Sequence, residues 1–140
     1  MKDLDWSNLS FGYRQTDYNV RCYYRDGKWG EIEVCSDEYL KLHMAATCLH
    51  YGQEAFEGLK AYRCPDGKVR VFRMDENAAR LQSTCRGILM PEVPTEMFEE
   101  MVKKVVRLNQ EWIPTYESGA TLYIRPLLIG TSPQVGVHPS

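Results

Sequence analysis

The sequence lacks the short motifs by which several large enzyme classes are recognised. It contains no G-x-G-x-x-G segment, no P-loop, no H-E-x-x-H and no G-x-S-x-G, which argues against a Rossmann dehydrogenase, a P-loop NTPase, a zinc protease or an α/β-hydrolase. No apolar run approaches 18 residues, and the first 15 residues have no hydrophobic core of a signal peptide. The net charge of −2 lacks the basic excess of a general nucleic-acid binder. We therefore expect neither a membrane nor a nucleic-acid partner.

The cysteines lack the spacing of a metal site or a disulfide framework. Their number is odd and no two form C-x-x-C: Cys22, Cys35, Cys48, Cys64 and Cys85. This pattern predicts reduced thiols and a cytoplasmic protein. Although His43, Cys48 and His50 lie close together, their spacing matches no standard zinc pattern. No metal site is predicted.

Turn residues between runs of aromatic and β-branched residues predict two β-hairpins. The first joins residues 18–25 to 28–34 through Asp-Gly, and the second joins 59–64 to 68–73 through Pro-Asp-Gly. Residues 1–12 show no periodicity and are expected to form an irregular arm.

Two helices and a strand are predicted after the hairpins. Asp75 and Thr95 are the expected N-caps, followed by apolar residues at helical spacing. These are Ala78, Leu81, Cys85 and Ile88 in the first helix, and Phe98, Met101, Val102, Val105 and Leu108 in the second. A strand is expected over 120–129. The order predicts one α+β domain over 1–140, with helices packed on an antiparallel or mixed sheet.

The segment LHYGQEAFEGLKAY, residues 49–62, is unusually rich in aromatic, glycine and charged residues. Gly52 and Gly58 allow an unusual φ or a close backbone approach, and Tyr51 and Phe56 are candidates to line a small pocket. A helix-to-strand junction whose aromatic rings fill the core would explain the same residues.

Tyr123 and Arg125 are two residues apart on a predicted strand and therefore share a face. Together they offer donors to a carboxylate, although a polar surface strip or an arginine paired with an acidic residue fits equally well. Arg80 lies beside the apolar stripe of the first helix, within reach of an anionic ligand or of solvent.

Three blocks resemble the branched-chain amino acid aminotransferases, which are pyridoxal-phosphate enzymes of fold type IV. They are LHYGQEAFEGLKAY, KVRVFRMDENAARL and LYIRPLLIGTSPQVGV, and the resemblance extends from about Leu9 to Val137. It implies the small N-terminal domain of that family, with residues 130–140 beginning the connection to a large C-terminal domain.

The resemblance implies roles for individual residues. Arg80 would hold the phosphate of pyridoxal 5′-phosphate, and Phe11 and Phe56 would form walls of the substrate pocket. Tyr123 and Arg125 would accept both an aliphatic side chain and the distal carboxylate of glutamate.

Three further residues are implied to act in a neighbouring subunit. Tyr51, Val135 and Val137 correspond to residues that complete the substrate pocket of the partner in a homodimer. The tail would then be a loop that reaches another active site.

The implied reaction transfers the amino group between leucine, isoleucine or valine and 2-oxoglutarate, as in branched-chain amino acid biosynthesis. None of the lysines matches the family's Schiff-base lysine, which belongs to the large domain: Lys2, Lys28, Lys41, Lys60, Lys68, Lys103 and Lys104. We therefore expect a fragment that is inactive alone and carries no catalytic residue. Two alternatives stay open: a fold type IV enzyme acting on D-amino acids or aminodeoxychorismate, and a stand-alone, non-catalytic binding or interaction domain.

Overall fold

The computed structural model describes all 140 residues as nine short strands and three α-helices. The strands are β1 (Asn19–Arg21), β2 (Tyr24–Arg25), β3 (Lys28–Trp29), β4 (Glu33–Cys35), β5 (Glu54–Phe56), β6 (Leu59–Arg63), β7 (Val69–Val71), β8 (Leu122–Ile124) and β9 (Leu127–Ile129). The helices are α1 (Thr47–Tyr51), α2 (Met74–Gly87) and α3 (Thr95–Leu108). All strand pairs are antiparallel, so the predicted α+β class is confirmed and no parallel pair occurs.

Both predicted hairpins are present. In the first, β2 pairs with β3 and β1 with β4 around a turn in which Asp26 and Gly27 have φ of 53° and 78°. Positive φ at both central residues matches the right-handed twist of the strands. The Gly30 amide still donates to the Tyr23 carbonyl, but beyond this bond the register shifts by one residue, from Tyr24 opposite Trp29 to Arg21 opposite Glu33, so each predicted strand becomes two short ones.

The predicted strand over 120–129 is wrong in its continuity. The structure divides it at Arg125–Pro126 into β8, which pairs with β6, and β9, which pairs with β5. Proline has no N–H to donate to a ladder, so the chain leaves one sheet and enters another at this point. The three-stranded sheet is ordered β7-β6-β8.

The second hairpin and the two long helices enclose one apolar core. It contains twelve buried residues, among them Ala61 and Ile124 from the sheet, Leu81 from α2, and Phe98 and Val102 from α3. Because side chains alternate along a strand, the opposite face of the same sheet carries Lys60, Tyr62 and Tyr123.

Neither predicted N-cap is correct. Helix α2 begins at Met74 after Arg73, whose left-handed φ of 48° turns the chain out of the hairpin, and no side chain caps it. Helix α3 begins at Thr95 itself after Pro94, and the Thr95 hydroxyl accepts a hydrogen bond from the Gln82 amide at 3.2 Å. In both cases the incoming backbone sets the helix start.

The two chain ends are attached to the rest of the fold. The N-terminal arm contains one 3-10 turn, Trp6–Asn8, and then reaches buried Asn109, which accepts hydrogen bonds from the amides of Asp17 and Tyr18. At the other end, the Ser140 amide donates to the Gln53 side chain at 3.0 Å. No helix is both long and apolar enough to cross a membrane.

Candidate functional site

Four predicted pocket residues contact one another and form what we call the aromatic–arginine cluster: Phe11, Phe56, Tyr123 and Arg125. The Arg125 Nε donates to the Tyr123 hydroxyl at 3.0 Å, and its Cζ lies 4.2 Å from the centre of the Phe56 ring. The Phe11 ring meets the Tyr123 ring edge-on, with centroids 5.2 Å apart. The guanidinium is therefore held by a phenol and a π-face.

Strand pairing brings the cluster together. Phe56 ends β5 opposite Leu127 of β9, and Tyr123 lies in β8 opposite Lys60 of β6. The Tyr123 hydroxyl passes directly over Gly58, where an added Cβ would lie only 2.6 Å from the oxygen. The close backbone approach expected at Gly58 is therefore present.

The cluster is open to solvent. Phe11 is 85% exposed and Phe56 is 59% exposed, although both rings are apolar. Exposed aromatic rings beside an unpaired cation form a surface that can bind a ligand with an apolar body and an anionic end.

Arg80 is bound to a carboxylate that the sequence analysis did not single out. Its Nε and Nη2 donate to Glu57 at 2.8 and 2.6 Å. Glu57 is 3% exposed, and Asn77 also donates to it at 3.0 Å. Burial by itself would raise the pKa of Glu57, but the hydrogen bonds from Arg80 and Asn77 outweigh burial and lower it. The carboxylate correspondingly raises the pKa of Arg80.

Residues 56–58 join Arg80 to the aromatic–arginine cluster. Phe56 belongs to the cluster, Glu57 binds Arg80, and Gly58 lies beneath Tyr123. Asn77 strengthens this junction because its amide also donates to the Gly58 carbonyl at 3.3 Å. Arg80, the predicted phosphate anchor, and Tyr123, a predicted substrate residue, thus both contact the segment 56–58, which itself contains Phe56.

Tyr51 and Val135 form a separate pair, and Val137 follows two residues later on the same segment. The Tyr51 hydroxyl donates to the Val135 carbonyl, and the Gln134 amide donates to the Ala45 carbonyl at 3.1 Å. Val135 and Val137 are 69% and 87% exposed. Gly52, with φ of 62°, turns the chain between Tyr51 and β5; the side chain of Tyr51 contacts Val135, whereas that of Phe56 contacts Arg125.

The histidine pair near α1 is occupied by backbone contacts. The His43 Nδ1 accepts from the Ala45 amide at 3.0 Å, and the His50 Nε2 lies 2.8 Å from the Met44 carbonyl oxygen. The structure contains no group of three His, Cys, Asp or Glu side chains arranged to hold a metal ion.

Glu57 and Asn77 are the functional candidates that sequence reasoning missed. Glu57 lies inside the segment 49–62, and Asn77 precedes Arg80 by three residues, which places Asn77 and Arg80 on one helix face. The sequence therefore shows that Asn77 and Arg80 share a helix face, but nothing in it indicates that Glu57 is buried against that face.

Comparison with known proteins finds similar sequences that share one name. No family model matches the chain. A branched-chain amino acid aminotransferase of Haemophilus influenzae is 53% identical over 137 residues, which cover 98% of this chain and 40% of that protein. This chain is similar over nearly its whole length to branched-chain amino acid aminotransferases. A second member, from Helicobacter pylori, is 45% identical and is covered to 41% of its length. The chain thus spans about two fifths of the curated relatives it matches.

Solved structures of branched-chain aminotransferases share the fold. The Escherichia coli enzyme matches with a TM-score of 0.65 and 27% identity, covering 89% of this chain and 36% of that one. The T.th. enzyme, solved with pyridoxamine 5′-phosphate, matches with a TM-score of 0.61 and 30% identity over 76% of this chain and 32% of that one. The predicted family and fold are confirmed.

Proposed function

We propose that this chain forms one side of the active site of a branched-chain amino acid aminotransferase. The reaction exchanges an amino group between leucine, isoleucine or valine and 2-oxoglutarate. The observation that carries the proposal is the junction at residues 56–58, which connects Arg80 to the aromatic–arginine cluster.

Arg80 has the donors that a phosphate group needs. Arginine carries five N–H groups, and Glu57 engages only Nε and one of the two N–H bonds of Nη2. The Arg80 side chain is 68% exposed and its other N–H groups have no partner in the chain, so they are open to phosphate oxygens. When bound, pyridoxal 5′-phosphate supplies an electron sink for the amino-group transfer. In this proposal the Schiff-base lysine belongs to the part of the enzyme that this chain does not span.

The aromatic–arginine cluster accounts for recognition of two unlike substrates. Phe11 and Phe56 offer apolar walls to a branched side chain, which discriminate by only about 1–3 kcal/mol per methylene. The Tyr123 oxygen accepts a hydrogen bond from Arg125 Nε, so its own O–H is free to donate to a carboxylate. The other Arg125 N–H groups add charge-assisted donors for the distal carboxylate of glutamate.

The group of Tyr51, Val135 and Val137 fits a role in a neighbouring subunit. Both valines are exposed, and the Tyr51 hydroxyl donates to the Val135 carbonyl, which attaches this part of the loop to helix α1. We infer a homodimer in which this loop completes the partner's pocket. The five free thiols support a cytoplasmic location.

A hybrid enzyme tests the proposal. In the hybrid, residues 1–140 replace the matching stretch of the Haemophilus influenzae relative. We expect transamination of L-leucine with 2-oxoglutarate and none of D-alanine or aminodeoxychorismate. The 140-residue chain alone serves as the inactive control. A hybrid that folds and binds cofactor but prefers D-alanine would refute the assigned substrate class.

A further inference from the structure

Glu57 is a buried acidic group for which the proposed function gives no direct task. Only two other polar residues are buried to a similar degree, Thr47 and Asn109. The ion pair with Arg80 is strongly asymmetric: the Glu57 side chain is 3% exposed, whereas the Arg80 side chain is 68% exposed. A buried carboxylate therefore holds an arginine that faces solvent.

The geometry of this pair fixes the direction of the guanidinium. Nε and Nη2 both donate to the Glu57 carboxylate, at 2.8 and 2.6 Å, which makes a two-pronged contact along one edge of the planar group. Nη1 makes no hydrogen bond and lies on the edge that the carboxylate leaves free. The carboxylate is itself fixed, because Asn77 donates to its Oε2 at 3.0 Å.

An exposed ion pair at the start of the same helix provides a contrast. Arg73 contacts Glu76 at 2.8 Å, but both side chains are exposed, at 59% and 64%. Such a pair contributes little, because both side chains are solvated and free to move. Burial of the carboxylate distinguishes the Arg80 pair.

We infer that Glu57 is a positioning residue, which orients Arg80 before the ligand arrives so that the free edge of the guanidinium faces an incoming phosphate group. The inference rests on the proposed function of Arg80 as phosphate anchor. An arginine that is already ordered loses less side-chain entropy on binding. Glu57 does not bind the phosphate itself, because its carboxylate and the phosphate are both negatively charged and repel each other. Its role is only to orient Arg80.

This repulsion determines which variant is informative. Glu57→Gln removes a negative charge as well as the two-pronged contact, so its two effects on phosphate binding oppose each other. Glu57→Asp keeps the negative charge but shortens the side chain by one methylene, so that only the two-pronged contact with Arg80 is lost. Glu76→Gln is the matched control, because it removes the acidic partner of Arg73, the residue just before the same helix.

The test uses the 140-residue chain and pyridoxine 5′-phosphate, which has no aldehyde and cannot condense with lysines. NMR follows the Nε–H resonance of Arg80 during titration, and pyridoxine without phosphate is the ligand control. We expect Glu57→Asp to need about three- to tenfold more ligand, the cost of immobilising one long side chain on binding. Glu76→Gln should match the unmodified chain.

The outcomes separate the inference from the proposed function. If Arg80 does not respond to pyridoxine 5′-phosphate in the unmodified chain, the phosphate-anchor role and this inference are both overturned. If Arg80 responds equally in the unmodified chain and in Glu57→Asp, only the positioning role is overturned.

A measurement on the unmodified chain covers the case in which Glu57→Asp does not fold. Without ligand, the Nε–H of Arg80 should exchange with water more slowly than that of Arg107, for which the structure gives no side-chain hydrogen bond. Equal exchange rates would show that the guanidinium is not held in advance and would overturn the inference.

Discussion

Replacing Gly58 by alanine should disrupt the aromatic–arginine cluster by steric contact alone. The new Cβ would lie 2.6 Å from the Tyr123 hydroxyl oxygen and 3.3 Å from two ring carbons. An ordinary carbon–oxygen contact is about 3.3–3.6 Å, so the phenol must move by roughly 0.7–1.0 Å. Its hydrogen bond from Arg125 is already 3.0 Å long, and such a shift breaks it.

The expected cost of Gly58→Ala follows from these contacts. One lost hydrogen bond contributes about 0.5–1.5 kcal/mol, and overpacking adds about 1–3 kcal/mol where neighbours cannot move. Because Tyr123 is only partly buried, its ring can rotate toward solvent, and the overpacking cost should lie at the lower end of its range. We expect a loss of about 1–2 kcal/mol in the free energy of unfolding and a decrease of roughly 3–8 °C in Tm.

Urea unfolding and thermal scans of the 140-residue chain measure this loss. Gly87→Ala is the matched control, because an added Cβ at Gly87 meets nothing within 4 Å and the residue ends helix α2. That substitution should be neutral or slightly stabilising, since alanine has the higher helix propensity. Equal stability of Gly58→Ala and the unmodified chain would show that Tyr123 does not rest on Gly58 and would contradict the reasoning.

Four further outcomes are expected. In the hybrid enzyme, Arg80→Ala should weaken binding of pyridoxal 5′-phosphate by about 1–3 kcal/mol, as for a lost charged hydrogen bond; an unchanged dissociation constant would count against the phosphate-anchor role. Arg125→Ala should lower kcat/KM for glutamate more than for leucine, and equal losses would remove the basis for dual recognition. Because the folded-state pKa of Glu57 is lowered, its ion pair stabilises the fold above the unfolded-state pKa of about 4.3 and loses this effect as the pH falls through the folded-state pKa. The difference in unfolding free energy between the unmodified chain and Glu57→Gln, measured in urea, should therefore shrink from pH 7 to pH 3. A constant difference would contradict the assignment. Gly130→Ala should destabilise the chain in thermal scans, because its Cβ would overlap the hydroxyl of fully buried Thr47; an unchanged Tm would show that this contact relaxes freely.

Local chemistry was sufficient to predict the hairpins and the bodies of the helices. Asp26-Gly27 adopts positive φ at both residues, as the dipeptide predicts. The apolar spacing of α2 places Ala78, Leu81 and Cys85 in the core. These features depend on turn preference and helical periodicity, which adjacent residues determine.

The helix starts and the strand over 120–129 were predicted less well for one common reason. Helix α2 starts from the left-handed Arg73, and the strand breaks at Pro126, where the chain changes its pairing partner from β6 to β5. Both depend on which distant segment the backbone must meet, and residue type at one position does not specify this.

For the site, the spacing of two residues was enough to predict that Tyr123 and Arg125 lie on one side of the chain, and their side chains are hydrogen-bonded although β8 ends at Ile124. The contact of Arg125 with Phe56 could not be predicted in this way, because it depends on the pairing of β5 with β9, which are more than 70 residues apart in the sequence. The pairing of Arg80 with Glu57 was likewise decided by packing, because α2 must cover the β5–β6 junction before the carboxylate is buried. Spacing within one element is a local property, whereas burial and contact between elements arise only when the whole chain packs.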